Sequence, residues 1–248
     1  MTNDVENFFK RKLPRQTNEL VLIEESLAAN GIGRLIMDQS LSLTTSVPLF
    51  YIQLENQKAL NSVTLNYSED LAGWLSKEPL DLLQRIENDV KAAVNSTPSV
   101  LVIDSLSPLL QTYALHSVLR LLHTLQKLPN TIGLVARYNA SLYENQISQA
   151  LRAQATTYLL VETHASIAAY HFLSKESKRF IPTSMHGMIL MIRKSKSGKL
   201  TEAITYFNES LQFVASTDIQ FDKKPNEPPA QDQLVAALSS DVNSPSSR

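Results

Sequence analysis

The sequence predicts an α/β fold with a mostly parallel sheet flanked by helices and an antiparallel hairpin near the C-terminal end. Strand-like and helix-like segments alternate through residues 80–162, which is typical of a parallel sheet covered by helices on both faces. Residues 99–104 form an apolar run that ends on a carboxylate, as expected for a strand buried on both faces. Beyond residue 187, two β-favouring segments flank a Ser-Lys-Ser-Gly turn, which indicates a hairpin.

Local patterns predict the individual elements. A short helix is predicted at residues 20–30, followed by a strand at 34–38 and another at 48–54. The connection between these two strands, residues 39–47, is short for a crossover helix. Further helices are predicted at 79–94, 112–128 and 144–155, and further strands at 100–104, 131–136, 156–162, 187–193, 199–207 and 211–214.

Composition and local polarity divide the chain into three parts. Its 248 residues are 43% hydrophobic, enough for one large core. Residues 1–19 are polar and basic and are expected to be a mobile or surface arm, and residues 20–216 form the folded domain. The tail, residues 217–248, is rich in Pro and Ser and is predicted to be extended. It contains a short apolar patch that we expect to dock into a neighbouring subunit, with disorder as the alternative: Leu234, Val235 and Leu238.

Charge and cysteine content exclude several classes of protein. A formal net charge of −1 excludes a globally basic nucleic-acid binder. The absence of cysteine excludes disulfides, thiolate metal sites and thiol catalysis. No apolar run reaches the length of a signal peptide or a membrane span. We therefore expect a protein that stays inside the cell and has no membrane partner.

Asp104, at the end of the apolar run, is the candidate functional acid. In P-loop ATPases an Asp at this place holds magnesium, and an upstream glycine-rich loop cradles the phosphates. The chain has six glycines, and its one Gly-Lys pair is followed by Leu200 instead of Ser or Thr. The sequence thus predicts an ATPase-type core without a phosphate cradle, with no cofactor, no metal and no enzymatic activity. Asp104 is then a vestigial strand-end acid that accepts backbone N–H bonds.

A basic segment stands out within this near-neutral chain. Between His171 and Leu200 the sequence contains seven Lys and Arg residues and one acidic residue, Glu176. We predict that these cations contact RNA phosphates, which gives salt-dependent binding with little sequence preference. The alternative is a solvated hairpin whose lysines protect an edge strand. The seven residues are Lys175, Lys178, Arg179, Arg193, Lys194, Lys196 and Lys199.

Three stretches carry a resemblance to a known family. They are VLVIDSL at residues 100–106, LMIRKSKSGKL at residues 190–200, and the tail around residues 222–237. In order and spacing they resemble the fifth subunit of Elongator, the eukaryotic complex that modifies wobble uridines of transfer RNA. The resemblance spans residues 20–238.

This resemblance implies a RecA-like fold without a working nucleotide site. It also implies assembly with the fourth and sixth Elongator subunits into a heterohexameric ring that binds tRNA, contact with the remaining subunits, and a cytoplasmic and also nuclear location. Two features depart from the family pattern. The connection at residues 39–47 is shorter than the helix-bearing segment expected after the first strand, and the tail lacks a long acidic extension.

Two other interpretations stay open at the level of sequence. One is a degenerate RecA-family paralogue that acts as a scaffold in DNA recombination. The other is a doubly wound small-molecule enzyme, which would need a polar cluster at the strand tips. The residues available for such a cluster are Asp38, Asp104, Arg137 and Glu162.

Overall fold

The structure is a computed structural model in which nine strands of the described residues form one sheet. The chain divides into two units, residues 1–218 and 219–248. The predicted docking residues Leu234, Val235 and Leu238 lie outside the described residues. The structure describes residues 4–15, 18–29, 31–44, 46–55, 63–69, 71, 81–94, 97–169, 180–195 and 197–219.

The sheet has six parallel strands followed by an antiparallel extension. In sheet order, the strands run β3-β2-β4-β5-β1-β6-β7-β8-β9. Strands β1 to β6 pair in parallel, and β6 to β9 pair antiparallel. The strands are β1 (Glu19–Glu25), β2 (Leu49–Gln53), β3 (Val63–Asn66), β4 (Ser99–Ile103), β5 (Thr131–Asn139), β6 (Thr157–Thr163), β7 (Gly187–Lys194), β8 (Leu200–Phe207) and β9 (Phe213–Ala215).

Helices connect the parallel strands and cover the sheet. A crossover between two parallel strands needs about a dozen residues or more, and it is usually a helix. None of the helices in the described parts of the chain is both long and apolar enough to cross a membrane. The helices are α1 (Asp4–Asn7), which continues as a π-helical turn over Phe8–Lys12, α2 (Ile32–Ser42), α3 (Leu82–Ala93), α4 (Ser107–Thr112), α5 (Leu115–Gln126), α6 (Asn145–Gln154) and α7 (His164–Ala169).

The strongest sequence patterns are confirmed. Residues 100–103 of β4 are fully buried, as their continuous apolar run predicted. Strands β7 and β8 form the predicted hairpin, paired from Gly187 with Phe207 to Lys194 with Leu200. A Cβ at Gly187 would lie 2.2 Å from the Phe207 ring. Glycine at this position therefore lets the large aromatic ring sit against the neighbouring strand.

The first two elements after residue 19 are the reverse of the prediction. Residues 20–30 were expected to be a helix, but Glu19–Glu25 is the central strand β1; residues 34–38 were expected to be a strand, but they lie in helix α2. Strand β1 is buried on both faces, so its apolar residues are continuous and carry no strand periodicity. The crossover from β1 to β2 is therefore α2 itself. The short connection at residues 39–47 is not a missing helix.

The N-terminal residues are packed against the sheet, so the predicted mobile or surface arm is wrong for Asp4–Arg15. The side chains of Val5, Phe8, Phe9 and Leu13 are 0% exposed. They share one hydrophobic cluster with residues of β7 and β8, including Ile189, Met191 and Phe207. The prediction was based on the cations of this segment. The apolar residues at helical spacing on its other side indicate instead a segment that packs on the sheet.

We expect Phe8→Ala to lower the free energy of unfolding by about 3 to 5 kcal/mol, because it leaves a cavity beneath the sheet. Denaturant titration measures this effect. Lys10→Ala is the matched control: its side chain is exposed and lies 4.0 Å from Glu6, so a change under about 0.5 kcal/mol is expected. An unchanged unfolding midpoint for Phe8→Ala would contradict the packing of this segment.

Candidate functional site

Four strand ends bring charged side chains together at one edge of the sheet. The carboxyl ends of parallel strands point to the same edge, where ligands bind in open α/β sheets. Glu25 ends β1, Glu55 follows β2, Asp104 follows β4 and Arg137 lies near the end of β5. The sheet order β2-β4-β5-β1 makes these ends neighbours. We call these four residues the strand-end cluster.

Arg137 occupies the centre of the strand-end cluster. Its side chain is only 8% exposed. One terminal nitrogen pairs with Glu25, and the other donates to Glu55 Oε2 at 2.7 Å. Its Nε donates to the backbone carbonyl of Asp104 at 3.0 Å. The buried guanidinium is therefore bound on all sides by groups from three other strand ends, which offsets the cost of removing its charge from water.

The second carboxylate oxygen of Glu25, Oε2, caps the N-terminus of helix α2. Glu25 Oε2 accepts the backbone N–H of Gly33 at 2.8 Å. Gly31, just before the helix, has φ +79°, and a Cβ at Gly33 would lie 2.7 Å from Glu25 Oε2. The first N–H groups of a helix have no partner within the helix and attract anions. In this chain the Glu25 carboxylate is the anion that binds there.

The loop between β1 and α2 is also where P-loop ATPases cradle phosphate, since that motif joins a strand to the start of a helix. The one Gly-Lys pair of the sequence, at Gly198, lies instead in the β7–β8 turn. The corresponding segment is residues 25–34, ESLAANGIGR, without the Gly-Lys-Ser/Thr ending. Gly31 and Gly33, soon after an apolar run, are the sequence signal that would have pointed to this place.

Asp104 uses its carboxylate to join two strand ends. Its oxygens accept backbone N–H groups of Leu54 at 2.9 Å, Glu55 at 3.0 Å and Ser105 at 2.7 Å. Burial is the largest influence and raises the pKa of Asp104 to about 6, although these three bonds favour the charged form. Asp104 thus accepts backbone N–H bonds, as expected, but chiefly from the end of β2 instead of a following helix.

The other two predicted tip residues lie on different elements. Asp38 lies within helix α2, where it pairs with Arg34 at 3.8 Å; burial raises its pKa more than the nearby charges of Arg34 and Arg137 lower it. Glu162, near the end of β6, accepts the hydroxyl of Ser166 at 2.7 Å. The structure thus brings Asp104 and Arg137 together with two acids that the sequence analysis missed, Glu25 and Glu55. Within the described residues, no group of three or more His, Asp or Glu side chains is placed to hold a metal ion.

The predicted basic surface is only partly at the surface. The side chain of Arg193 is 18% exposed; it lies 5.0 Å above the Phe8 ring and 3.9 Å from Glu19. Lys194 Nζ donates to the last carbonyls of α6, at Arg152 and Ala153, where a cation is favourable. Arg193 therefore packs against the N-terminal segment and is not a free surface cation.

The remaining cations of the basic segment differ in what the structure describes. Lys199 is exposed beside the β7–β8 turn. This turn lies at the amino end of β6, since Arg193 pairs with Thr157, and so at the sheet edge opposite the strand-end cluster. Four residues lie outside the described ones: Lys175, Lys178, Arg179 and Lys196. RNA contact by the segment stays a prediction.

Comparison with known proteins identifies the fold. No family model matches the chain, and no curated protein matches its sequence. A solved structure, the flagellar accessory protein FlaH from Methanocaldococcus jannaschii, is similar with a TM-score of 0.51 and 12% sequence identity. The match covers 84% of this chain and 91% of that chain. At such low identity the likeness shows the fold alone, and it confirms the predicted RecA-like α/β architecture.

The raised pKa of Asp104 predicts a specific pH dependence of stability. The folded protein holds this proton up to about pH 6, and the ordinary carboxyl pKa is 3.8. The extra stability that the folded protein gains by binding this proton is therefore fully present below pH 3.8. It is lost as the pH rises through about 6. Over this range it amounts to about 3 kcal/mol, at about 1.4 kcal/mol per pKa unit.

Denaturant titrations of wild type and Asp104→Asn between about pH 4 and about pH 7 measure this effect. The variant loses one acceptor for the strand-end N–H groups at every pH, so only the change with pH is diagnostic. The advantage of wild type should shrink as the pH rises. Asp218→Asn, at an exposed carboxyl, controls for the general pH dependence. An advantage of wild type that grows with pH would contradict the burial argument.

Proposed function

We propose that this chain is a non-catalytic RecA-like scaffold, the fifth subunit of an Elongator complex. In this role it assembles with the fourth and sixth subunits into a heterohexameric ring, contacts the remaining subunits, and acts in the cytoplasm and nucleus. The ring binds tRNA and supports modification of its wobble uridine. The chain contributes assembly surfaces and part of the tRNA contact, and it performs no chemistry itself.

One observation supports the non-catalytic part above all others: Glu25 and Arg137 occupy the place that serves phosphate in ATPases of this fold. A nucleotide phosphate there would have to displace Glu25 from the Gly33 N–H and from a deeply buried guanidinium. Separating a buried ion pair is costly, because it leaves an uncompensated charge in the interior. The strand-end cluster therefore works against nucleotide binding.

Asp104 supports the same conclusion. A carboxylate that holds magnesium must present a free oxygen to the ion or to its water shell. Both oxygens of Asp104 accept backbone N–H groups instead. A metal at this point would have to break bonds that join β2 to β4.

The Elongator assignment depends on the resemblance. The first two of its three stretches fall on described elements, apart from residue 196, and the third lies outside the described residues. Residues 100–106 are the buried strand β4 and its end, and residues 190–200 span β7, its turn and the start of β8. The DNA-recombination scaffold stays as the alternative, because the RecA-like fold fits both.

We expect no heat of binding when millimolar Mg·ATP is titrated into the purified chain, and no ATP hydrolysis. The physical reason is the occupied phosphate position. Isothermal titration calorimetry makes the measurement, with a RecA-like ATPase under the same conditions as the positive control. Micromolar binding that Asp104→Ala abolishes would contradict the proposal.

Affinity purification of the tagged chain from its native cell tests the assembly. The proposal expects two further RecA-like chains in equal amounts and a particle mass that fits six chains. Recovery of recombination proteins instead would favour the alternative, and a lone monomer would exclude the ring.

For tRNA contact, we expect Lys199→Ala in the assembled ring to weaken binding and to reduce the slope of log affinity against log salt by about 0.7 to 0.9. Filter binding across a salt series measures both. Lys127→Ala removes an exposed lysine after α5 and is the matched control.

Arg193→Ala separates a structural from an RNA-binding role, because this side chain packs on Phe8. It should lower stability and leave the salt slope unchanged. An unchanged slope for Lys199→Ala, or a reduced one for Lys127→Ala, would remove Lys199 from the RNA surface.

A further inference from the structure

The N-terminal segment presents basic side chains from a fixed position. Its apolar side chains Phe8, Phe9 and Leu13 are fully buried in the cluster beneath the sheet. Since packing already holds the backbone, a ligand that binds here does not have to order the segment, which lowers the entropy cost of binding. The residues between these buried side chains are exposed and basic: Lys10, Arg11 and Lys12.

This segment lies at the amino edge of the sheet, where the parallel strands begin. The Leu13 side chain lies against Gly133 near the start of β5, since a Cβ added at Gly133 would be 2.9 Å from Leu13 Cδ1. The guanidinium of Arg193 lies 5.0 Å from the centre of the Phe8 ring, and Arg193 pairs with Thr157 at the start of β6. The exposed cations beside Phe8 and Leu13 therefore lie next to the first residues of the parallel strands.

The β7–β8 turn brings further cations to the same edge. Lys199 is exposed in this turn, whose ends are joined by a bond from the Ser195 N–H to the Lys199 carbonyl at 2.8 Å. Lys194 keeps its positive charge while it donates to the last carbonyls of α6. Strand β7 is two positions from β1 in the sheet, which is about 10 Å at the usual strand spacing. We call Arg11, Lys12, Lys194 and Lys199 the amino-edge surface.

Neighbouring acids compensate only part of this charge. Glu6 lies 4.0 Å from Lys10, and Glu19 lies 3.9 Å from Arg193, so each of these acids faces a cation outside the amino-edge surface. Glu202 is exposed on β8 and lowers the potential on one face of the hairpin. Among the described residues of this edge, the cations of the amino-edge surface still exceed the acids that remain, so the surface is positive.

The carboxyl edge of the sheet has the opposite charge. Arg137, the cation at its centre, is bound by Glu25 and Glu55. A polyanion is therefore repelled from the edge where RecA-like ATPases bind nucleotide and is attracted to the amino edge. Further acids lie at strand ends or before a helix at the carboxyl edge: Asp104, Glu144 and Glu162.

We propose that the amino-edge surface binds the phosphate backbone of RNA, with Arg11 and Lys12 of the N-terminal segment beside Lys199 of the turn. This inference rests on the proposed RNA contact and adds to it a second segment and the orientation of the sheet. The Arg11 guanidinium can donate two parallel bonds to one phosphate, and the lysines act as point charges. Contacts of this kind carry little sequence preference.

The N-terminal segment is poorly suited to a membrane surface. A helix that lies on a bilayer buries an exposed apolar face among the headgroups. Here the apolar side chains of the segment are already buried against the sheet. This favours the phosphates of a nucleic acid over those of a lipid surface. The exposed residues between positions 4 and 14 are all charged: Asp4, Lys10, Arg11 and Lys12.

Fluorescence anisotropy with fluorescein-labelled tRNA and the full chain, across a salt series, tests the proposal. Arg11→Gln and Lys12→Gln should each reduce the slope of log affinity against log salt by about 0.7 to 0.9. At about 0.1 M salt each should weaken binding about sixfold, the factor that such a slope gives between about 0.1 and about 1 M salt. Arg120→Gln, the matched control, removes an exposed cation from the middle of α5 and should change neither quantity. Circular dichroism establishes that each variant is folded.

Lys199→Ala, measured on the same chain, separates this inference from the proposed function. Reduced slopes for Arg11→Gln, Lys12→Gln and Lys199→Ala, with Arg120→Gln unchanged, support one amino-edge surface. Unchanged slopes for Arg11→Gln and Lys12→Gln overturn it. If Lys199→Ala still reduces the slope in that case, the proposed RNA contact stands without the N-terminal segment. Reduced slopes for Arg11→Gln and Lys12→Gln with an unchanged slope for Lys199→Ala overturn the single surface.

Three other outcomes also overturn the proposal. They are no binding of tRNA by the wild-type chain at low salt, an equal loss of affinity in Arg120→Gln, and tighter binding to lipid vesicles than to tRNA. The vesicles contain phosphatidylcholine and phosphatidylserine in equal amounts, and vesicle binding that Lys12→Gln abolishes would assign the surface to a membrane. Purification of the ring tests the assembly independently of these results.

Discussion

The buried guanidinium of Arg137 organises the carboxyl edge of the sheet. A cation with 8% of its side chain exposed requires anions and carbonyls close by. It obtains them from the ends of three other strands, through Glu25, Glu55 and the Asp104 carbonyl. In RecA-like ATPases the same edge is arranged around charge that arrives with the nucleotide and its metal. Here the central charge is part of the chain, and its partners are side chains and a carbonyl of neighbouring strand ends.

Two carboxylates near Arg137 also bind backbone N–H groups. Glu25 connects the Arg137 ion pair to the first turn of α2 through the Gly33 N–H, which fixes the helix relative to β1. Asp104 connects β4 to the end of β2. The absence of a side chain at Gly33 is what allows Glu25 to approach. Gly33 therefore lets an internal carboxylate approach the first turn of α2.

The sequence predicts the parts of this arrangement that depend on residues close together in the chain. It does not predict the parts that depend on residues far apart in the chain. Strand β4, helices α5 and α6 and the β7–β8 hairpin follow from local patterns of strong periodicity or apolar continuity. Strand β1 and helix α2 were exchanged, because a short strand buried on both faces has no period of its own. The exchange also hides the strand–loop–helix arrangement around Gly31 and Gly33, where ATPases of this fold hold phosphate. The Arg137–Glu25 pair spans 112 residues, and no local pattern indicates a partner at that distance.

The basic segment shows that charge in the sequence differs from charge at the surface. Arg193 and Lys194 contribute to the fold, one against Phe8 and Glu19 and the other at the end of α6. The charge of Arg193 is partly compensated by Glu19, whereas Lys194 keeps its charge, so the positive potential that the described part of this segment adds to this end of the sheet comes from Lys194 and Lys199. The potential that a partner would meet at this turn therefore depends on fewer cations than the sequence suggests.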